Sequence, residues 1–187
     1  TYASLPTPTR TAYNFAGWVL ADGTAVDNNT IVKDAPVHTL FSKWTPVTYT
    51  MTVNVNGGNA VASKQLNIES GTMPATPTRT AYDFVNWEVV SGDGNWTVGD
   101  TYNAGADISG KYGNVTVKAN WAPTVYTITL DENGGNAVAD TTYTTEGGVI
   151  PAAPVREGYT FSYWEVVSDS GSWKAGDKFN PGFNFAG

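Results

Sequence analysis

The chain has 187 residues, of which 13% are aromatic and 14% are charged, and its net charge is −7 at pH 7. An acidic chain lacks the basic face that phosphate binding needs, so we expect no nucleic-acid partner. The absence of cysteine excludes disulfides and thiolate chemistry, and no apolar run approaches the ~20 residues that span a bilayer, so we expect no membrane insertion within these residues. With neither an initiator methionine nor a signal peptide, the chain is expected to be a fragment of a longer protein.

The first predicted repeat, residues 1–46, opens with an aromatic motif and closes with a strand. Proline, arginine, tyrosine, phenylalanine and tryptophan follow one another at fixed spacing from Pro8 to Trp18. A polar turn at 21–24 comes next, and alternating side chains predict a strand over 38–44. Abundant Thr, Asn, Gly and Pro favour short strands and tight turns over helices. We therefore expect a mostly β fold with little helix.

The second predicted repeat, residues 47–124, contains the full set of elements. We predict a strand over 49–55, a turn at 56–59 where Asn and Gly tolerate positive φ, and a return strand over 64–68. Pro74 and Pro77 then predict an irregular extended segment, because proline cannot join a central ladder. A buried strand over 82–90, a turn at 91–94 and a closing strand over 115–121 complete the repeat.

The third predicted repeat, residues 125–187, follows the second at an offset of 77 residues, as from Tyr49 to Tyr126. Nine of thirteen positions in 49–61 recur in 126–138. The first repeat lacks the hairpin that begins at Tyr49, and the third lacks the closing strand. The simplest explanation is that the fragment is cut across repeat boundaries. The alternative is strand exchange, in which a strand from a neighbouring chain completes the third repeat.

The aromatic motif occurs once in each repeat and contains every arginine of the chain. Its key residues are Arg10, Tyr13, Phe15 and Trp18, then Arg79, Tyr82, Phe84 and Trp87, then Arg156, Tyr159, Phe161 and Trp164. We predict that the rings fill the core of each module and that the arginine stacks on an aromatic ring of its own module. The alternative is that the arginine binds an anionic ligand.

Two loop tryptophans are the candidates for ligand binding. Trp96 and Trp173 lie in a segment that the first repeat lacks, and Asp100 and Asp177 follow at the same spacing. Length variation is typical of a surface loop, where an exposed tryptophan can stack on a sugar or bind a protein. The alternative is that each ring folds back as a lid over its own small core.

No other residues indicate chemistry. His38 is the only histidine, and we interpret it as structural or solvated. The recurring Glu88 and Glu165 have no counterpart in the first repeat, where Val19 stands, so a glycosidase pair is not supported. The run 131–136 has oxygen ligands near glycines but lacks the spacing of a calcium loop. We predict no catalytic site, no metal and no cofactor.

The repeated pattern resembles the Listeria–Bacteroides repeat, the family that includes the internalin B-repeats. The resemblance covers essentially the whole chain, and its most specific part pairs 154–161 with 126–135. Ala12 and Ala81 depart from the glycine that is usual there. The resemblance implies tandem β-grasp-like modules in an elongated array, without catalytic activity, in extracellular bacterial proteins that are attached to the cell wall or secreted.

Two functions follow from this resemblance and from the loop residues. The first is a structural stalk or spacer in an adhesin-like surface protein. The second is a ligand-binding adhesin module that recognises a glycan or a host surface protein through its loop aromatics.

Overall fold

A computed structural model describes residues 1–2, 4–32 and 37–185, and these residues form strands and turns with no helix. The prediction of a mostly β fold is confirmed. Residues 186–187 of the predicted third repeat lie outside the described residues. The described part of the chain therefore also contains no helix that could cross a membrane.

Fourteen strands follow one another in the described residues. They are β1 (Tyr13–Val19), β2 (Ala25–Val26), β3 (Phe41–Pro46), β4 (Tyr49–Asn54), β5 (Lys64–Leu66), β6 (Tyr82–Gly92), β7 (Thr101–Tyr102), β8 (Val115–Pro123), β9 (Tyr126–Ile128), β10 (Thr141–Tyr143), β11 (Gly148–Val149), β12 (Trp164–Glu165), β13 (Lys178–Phe179) and β14 (Asn184–Phe185).

Contacts divide the chain into two compact units. The first comprises Thr1–Pro77 and Phe84–Asn120, and the second comprises Thr78–Asp83 and Trp121–Gly187. The first unit holds a three-stranded sheet in the order β2-β1-β3 and a five-stranded sheet in the order β5-β4-β8-β6-β7. The second unit holds three strand pairs, β10-β9, β11-β14 and β12-β13.

The three-stranded sheet is built on the first aromatic motif. β1 runs antiparallel to β3, from Tyr13 opposite Pro46 to Val19 opposite Phe41, with an irregularity between Phe15 and Gly17. The closing strand therefore runs over 41–46, and the prediction of 38–44 was wrong by a few residues at each end. Its bounds are set by the residues that face β1, which the alternation within 38–44 could not reveal.

The five-stranded sheet matches the elements predicted for the second repeat. β4 and β5 form the expected antiparallel pair, and Asn56 and Gly57 adopt positive φ values of 46° and 87° in the turn. β8 lies between β4 and β6 and runs parallel to β4. The fully buried side chains in and around this sheet include Met51, Met73, Trp87, Val89 and Val117.

The strand pairs of the second unit repeat the registers of the five-stranded sheet. Trp164 lies opposite Phe179 in β12-β13, as Trp87 lies opposite Tyr102 in β6-β7. Likewise, Tyr126 lies opposite Tyr143 in β10-β9, as Tyr49 lies opposite Leu66 in β4-β5. The 77-residue offset of the sequence is thus also an offset of strand pairing.

Burial of the motif tryptophans differs between repeats. Trp87 is 0% exposed, whereas Trp18 and Trp164 at the same motif position are half-buried. The closing-strand residues Trp44 and Trp121 are half-buried as well. The prediction that the motif rings fill the core therefore holds in full for Trp87, whereas Trp18 and Trp164 are covered only in part. The motif supplies the ring, but full burial needs the complete set of strands that surrounds β6.

Candidate functional site

The guanidinium of each motif arginine lies over the ring of the tyrosine three residues later. The guanidinium carbon lies 3.7 Å from the ring centroid for Arg10 and Tyr13, 3.6 Å for Arg79 and Tyr82, and 4.0 Å for Arg156 and Tyr159. A short turn brings the pair together, because the tyrosine amide donates to the arginine carbonyl in all three copies. The stacking predicted from the sequence is thus present in every repeat.

The phenylalanine and tryptophan of the motif also pack against each other. Their ring centroids lie 5.6 Å apart for Phe15 and Trp18, and the corresponding pairs Phe84–Trp87 and Phe161–Trp164 are 5.3 Å apart. Each indole Nε1 donates to the carbonyl of a proline that lies upstream, Pro6, Pro74 or Pro151. The ring pair thereby fixes the irregular segment before the motif, as a packing centre would.

The residue before the motif tyrosine has a left-handed backbone. Ala12 and Ala81 have φ values of 61° and 60°, and Gly158 at the same position has 75°. This conformation is unfavourable for alanine, because its Cβ approaches the following carbonyl. The family's glycine at this position therefore has a physical reason, and the first two repeats tolerate strain there.

A pair of contacts recurs where one repeat meets the next, and we call it the repeat joint. In the first unit, the Tyr13 hydroxyl donates to Glu69 Oε1 at 2.9 Å and the Val47 amide donates to the Ala12 carbonyl at 2.9 Å. Tyr13 and Glu69 are 56 positions apart in the sequence, and each recurs at the corresponding position of the next repeat.

The second unit contains the same joint at corresponding positions. The Tyr82 hydroxyl donates to Glu146 Oε1 at 3.4 Å, and the Thr124 amide donates to the Ala81 carbonyl at 3.0 Å. The sequence pattern assigned no role to Glu69 or Glu146. Their 77-residue offset was the available signal, although it could not show which tyrosine they contact.

The joint perturbs the ionisation of its tyrosine. Desolvation raises the pKa of Tyr13 above its usual value, and the hydrogen bond to Glu69 raises it further, while the charge of Arg10 opposes both. The tyrosine therefore stays protonated at neutral pH and keeps its role as the donor to the carboxylate.

Trp96 is buried, in contrast to the exposed ligand platform considered from the sequence. Only 8% of the residue is exposed, its Nε1 donates to the Gly113 carbonyl at 3.2 Å, and its ring packs edge-on against Tyr102 at 6.0 Å. Lys111 Nζ lies 5.2 Å from the ring centroid. The ring thus covers the end of the five-stranded sheet, which is the lid arrangement weighed as the alternative.

Trp173 makes the corresponding inward contacts in the third repeat. Its Nε1 donates to the Tyr143 hydroxyl at 2.7 Å, and its ring lies edge-on against Phe179 and Phe185 at 5.2 and 5.3 Å. It is half-buried, so part of the ring faces a groove described below. The structure brings this tryptophan into an aromatic cluster rather than projecting it from a loop.

The carboxylates of the two aspartates that follow the tryptophans make local contacts. Asp100 lies 3.9 Å from Lys111 Nζ and accepts from the Tyr102 hydroxyl at 3.4 Å. Asp177 accepts from the amide of Lys174 at 3.0 Å, and its carbonyl accepts from the amide of Val166 at 2.9 Å. Both carboxylates therefore have partners within their own repeat.

The remaining polar candidates also have local partners. His38 Nδ1 lies 3.0 Å from the hydroxyl of Tyr2. Glu88 accepts a hydrogen bond from Asn120 Nδ2 at 3.2 Å and forms an ion pair with Lys118 at 3.2 Å. The hydrogen bond from Asn120 makes the larger contribution to lowering the pKa of Glu88, and Lys118 lowers it further. In the described residues, no three His, Cys, Asp or Glu side chains cluster in a way that could hold a metal ion.

A groove of about 700 Å³ lies in the third repeat. It is lined mainly by residues 127–133 and 159–168, and Ile150, Trp173 and Phe179 line it as well. The groove is lined by both apolar and polar groups, and it lies entirely within the second unit. Sequence reasoning did not predict a cavity here, although it identified the missing closing strand.

Comparison with known proteins agrees with the repeat architecture. The sequence profile of the Listeria–Bacteroides repeat domain matches residues 1–43, 49–119 and 126–185. A protein of Evansella cellulosilytica named "Putative Gly-rich membrane protein" is 29% identical over 176 residues, which cover 83% of this chain and 19% of the relative. A second protein of that organism, named "Putative membrane protein", is 27% identical over 133 residues, which cover 67% of this chain and 18% of the relative.

The chain thus spans about a fifth of the length of these relatives. No solved structure matches it. Three consecutive matches to one repeat domain cover nearly every residue, and the motif geometry recurs with them. The chain belongs to the Listeria–Bacteroides repeat family.

Proposed function

We propose that this chain is a non-enzymatic spacer in a bacterial surface protein, in which consecutive repeats are fastened to one another by the repeat joint. The observation that carries this proposal is that the same two contacts occur at both junctions. At each junction the motif tyrosine hydroxyl donates to a glutamate, Tyr13 to Glu69 and Tyr82 to Glu146. A linker amide also donates to the carbonyl of the residue before that tyrosine. A spacer needs junctions that resist bending, and a recurring pair of contacts on a short linker meets that need.

The linkers are short enough for the joint to restrict them. β3 ends at Pro46 and β4 begins at Tyr49, so two residues connect the strands. Two residues also connect β8, which ends at Pro123, to β9. Proline fixes its own φ and restricts the residue before it, which removes part of the remaining freedom. Each joint then adds one side-chain contact and one backbone contact across this linker.

Charge and stacking support the choice of tyrosine and arginine in the joint. The guanidinium of Arg10 lies over the same ring whose hydroxyl donates to Glu69. Hydrogen bonds to a charged group are stronger than neutral ones, but this contact is exposed, so water competes with it. The joint therefore contributes orientation more than stability.

Location at the cell envelope is part of the same proposal. The similar proteins of Evansella cellulosilytica are named as membrane proteins, and each is about five times longer than the matched region. A long envelope protein with repeats has a use for a spacer that separates its other domains from the cell. We propose that the parent protein is cell-wall attached or secreted and adhesin-like, and that a distal region carries recognition.

Small-angle X-ray scattering tests the spacer. Chains of three, six and nine repeats should show a maximum dimension that grows in proportion to the number of repeats. Substituting Tyr13→Phe and Tyr82→Phe removes both hydroxyl donors and should broaden the distribution of distances without unfolding the repeats. Tyr159→Phe is the matched control, since it changes the same motif position without touching either joint. A compact particle whose size follows the cube root of mass would refute the proposal.

Recognition of a glycan or host protein is the alternative function. Of its two candidate tryptophans, Trp96 is buried, so this function would have to rest on Trp173 and the groove that it lines. A glycan array on the wild type and on the Trp173→Ala variant separates the two functions, because a spacer predicts no saccharide signal that the substitution removes.

A further inference from the structure

The second repeat begins and ends with two strands that lie side by side. β4 is its first strand and β8 is its last, and they run parallel with Met51 opposite Val115 and Asn54 opposite Lys118. Because parallel neighbours point the same way, the start of β4 and the end of β8 lie at opposite ends of the pair. The chain therefore enters this repeat at one end of the ladder and leaves it at the other.

Tension along the chain would load this ladder in shear. A pull on the residues before Tyr49 draws β4 one way along its axis, and a pull on the residues after Pro123 draws β8 the opposite way. The four facing pairs must then slip together, because the bonds of a parallel ladder are evenly spaced and share the load. A pull that separates the strands from one end would instead break the pairs one after another.

An asparagine hydrogen bond brackets the ladder at each end. Before the first facing pair, the Thr50 amide donates to Asn114 Oδ1 at 3.0 Å. Beyond the last facing pair, Asn56 Nδ2 donates to the Ala119 carbonyl at 3.1 Å. Both contacts join the β4 side of the ladder to the β8 side, so sliding one strand past the other must break them as well.

The ladder lies inside the sheet and above a closed core. β5 pairs with the other edge of β4, and β6 lies on the other edge of β8, so neither strand is at the edge of the sheet. Met51, Val117 and Ala119 are fully buried. Hydrogen bonds beside a low-dielectric core are stronger than in water, and water is kept from this face as a bond stretches. The ladder is thus protected from this side against gradual opening.

We propose that the second repeat is a mechanical clamp, in which the β4-β8 pair, bracketed by Asn56 and Asn114, resists tension that is transmitted along the chain. Residues 55–114 lie between the clamped strands, so β5, β6 and β7 carry no load until the pair separates. The biological use of the clamp rests on the proposed spacer, which would bear any pull between the cell and a bound object. The clamp itself rests only on strand topology.

Single-molecule pulling on the full chain tests the clamp, and the absence of cysteine allows handles at chosen sites. Handles at Thr48→Cys and Thr124→Cys load the pair in shear, whereas handles at Ala60→Cys and Thr124→Cys load it from one end. We expect a rupture force about fourfold higher in shear, because four pairs then break together. The shear event should lengthen the chain by about 200–250 Å, since 76 residues separate the handles and each extends to about 3.3–3.6 Å.

Substitutions at the bracketing contacts locate the clamp. Asn56→Asp removes the donor to Ala119 but keeps a residue that tolerates positive φ, and Asn114→Ala removes the acceptor of the Thr50 amide. Each should lower the rupture force in shear. Gln65→Ala is the matched control, because Gln65 Nε2 donates to Thr50 Oγ1 across the β4-β5 pair, which carries no load, and it should leave that force unchanged.

Equal rupture forces in the two handle geometries would overturn the clamp, and this comparison needs no substitution within the ladder. A shear force that neither asparagine substitution lowers, or that Gln65→Ala lowers as much, would overturn it too. The scattering test of the spacer is independent of these outcomes. A compact particle whose second repeat resists shear refutes the spacer alone, and an elongated chain whose second repeat yields equally in both geometries refutes the clamp alone.

Discussion

Trp87 and Trp164 occupy the same position of the same motif but differ in what covers them. Both pack on a phenylalanine at 5.3 Å and donate to a proline carbonyl at 3.1 and 3.2 Å. Trp87, on β6 of the five-stranded sheet, is 0% exposed, and Trp164 is half-buried and lines the groove. Replacing each tryptophan by alanine therefore compares the loss of a fully buried ring with the loss of a half-buried ring at the same motif position.

The expected magnitudes follow from the area each ring buries. A fully buried tryptophan removes about 200 Å² from water, which corresponds to about 5 kcal/mol at 25 cal/mol per Å². We expect Trp87→Ala to lower the free energy of unfolding by about 3–5 kcal/mol, since a cavity would remain. Trp164→Ala should cost about half as much, because its surroundings are already partly open to water.

The measurement must distinguish the two units, because a chain with two compact units need not unfold in a single transition. Hydrogen exchange with mass spectrometry, read separately on peptides from β4 to β8 and from β9 to β13, gives the local free energy of opening. Trp87→Phe and Trp164→Phe serve as milder variants in case Trp87→Ala fails to fold. Equal losses for the two positions would refute the argument that β8 creates the closed core.

Three further perturbations test other parts of the structure. Ala81→Gly should raise the free energy of unfolding by about 0.5–1 kcal/mol, because it removes an alanine from a left-handed backbone conformation, and Gly158→Ala should lower it by about 1–2 kcal/mol. Thermal melting measures both changes. A lower melting temperature for Ala81→Gly would contradict the argument that Ala81 is strained. Arg79→Ala should lower the melting temperature by the equivalent of about 0.5–1 kcal/mol, because it removes an exposed cation–π contact, whereas an unchanged melting temperature would argue for a ligand role. Because the folded-state pKa of Glu88 is depressed below its usual 4.5, its stabilising contribution is present above that value and is lost as pH falls through the folded pKa. Melting curves recorded between pH 2 and 7 should therefore show a smaller acid-side decline for Glu88→Gln than for the wild type, and identical declines would show that the Asn120 and Lys118 contacts are not formed in solution.

The amino-acid sequence by itself determined the repeat period, the β character of the chain and the local turns. Short-range contacts explain this success: Arg79 reaches Tyr82 across one turn, and Asn56–Gly57 favour positive φ wherever they stand. The mostly β composition and the motif spacing depend on residues that are neighbours in the chain. Such features need no knowledge of which strands finally meet.

Only the tertiary structure decided which strands share a sheet and what they enclose. The parallel placement of β8 beside β4 joins residues more than sixty positions apart, and it buries Trp87 while leaving Trp164 half open. The inward turn of Trp96 and the contact of Tyr13 with Glu69 are decided in the same way. Burial and long-range hydrogen bonds depend on the elements packed around a residue, and identical motifs therefore acquire different surroundings in successive repeats.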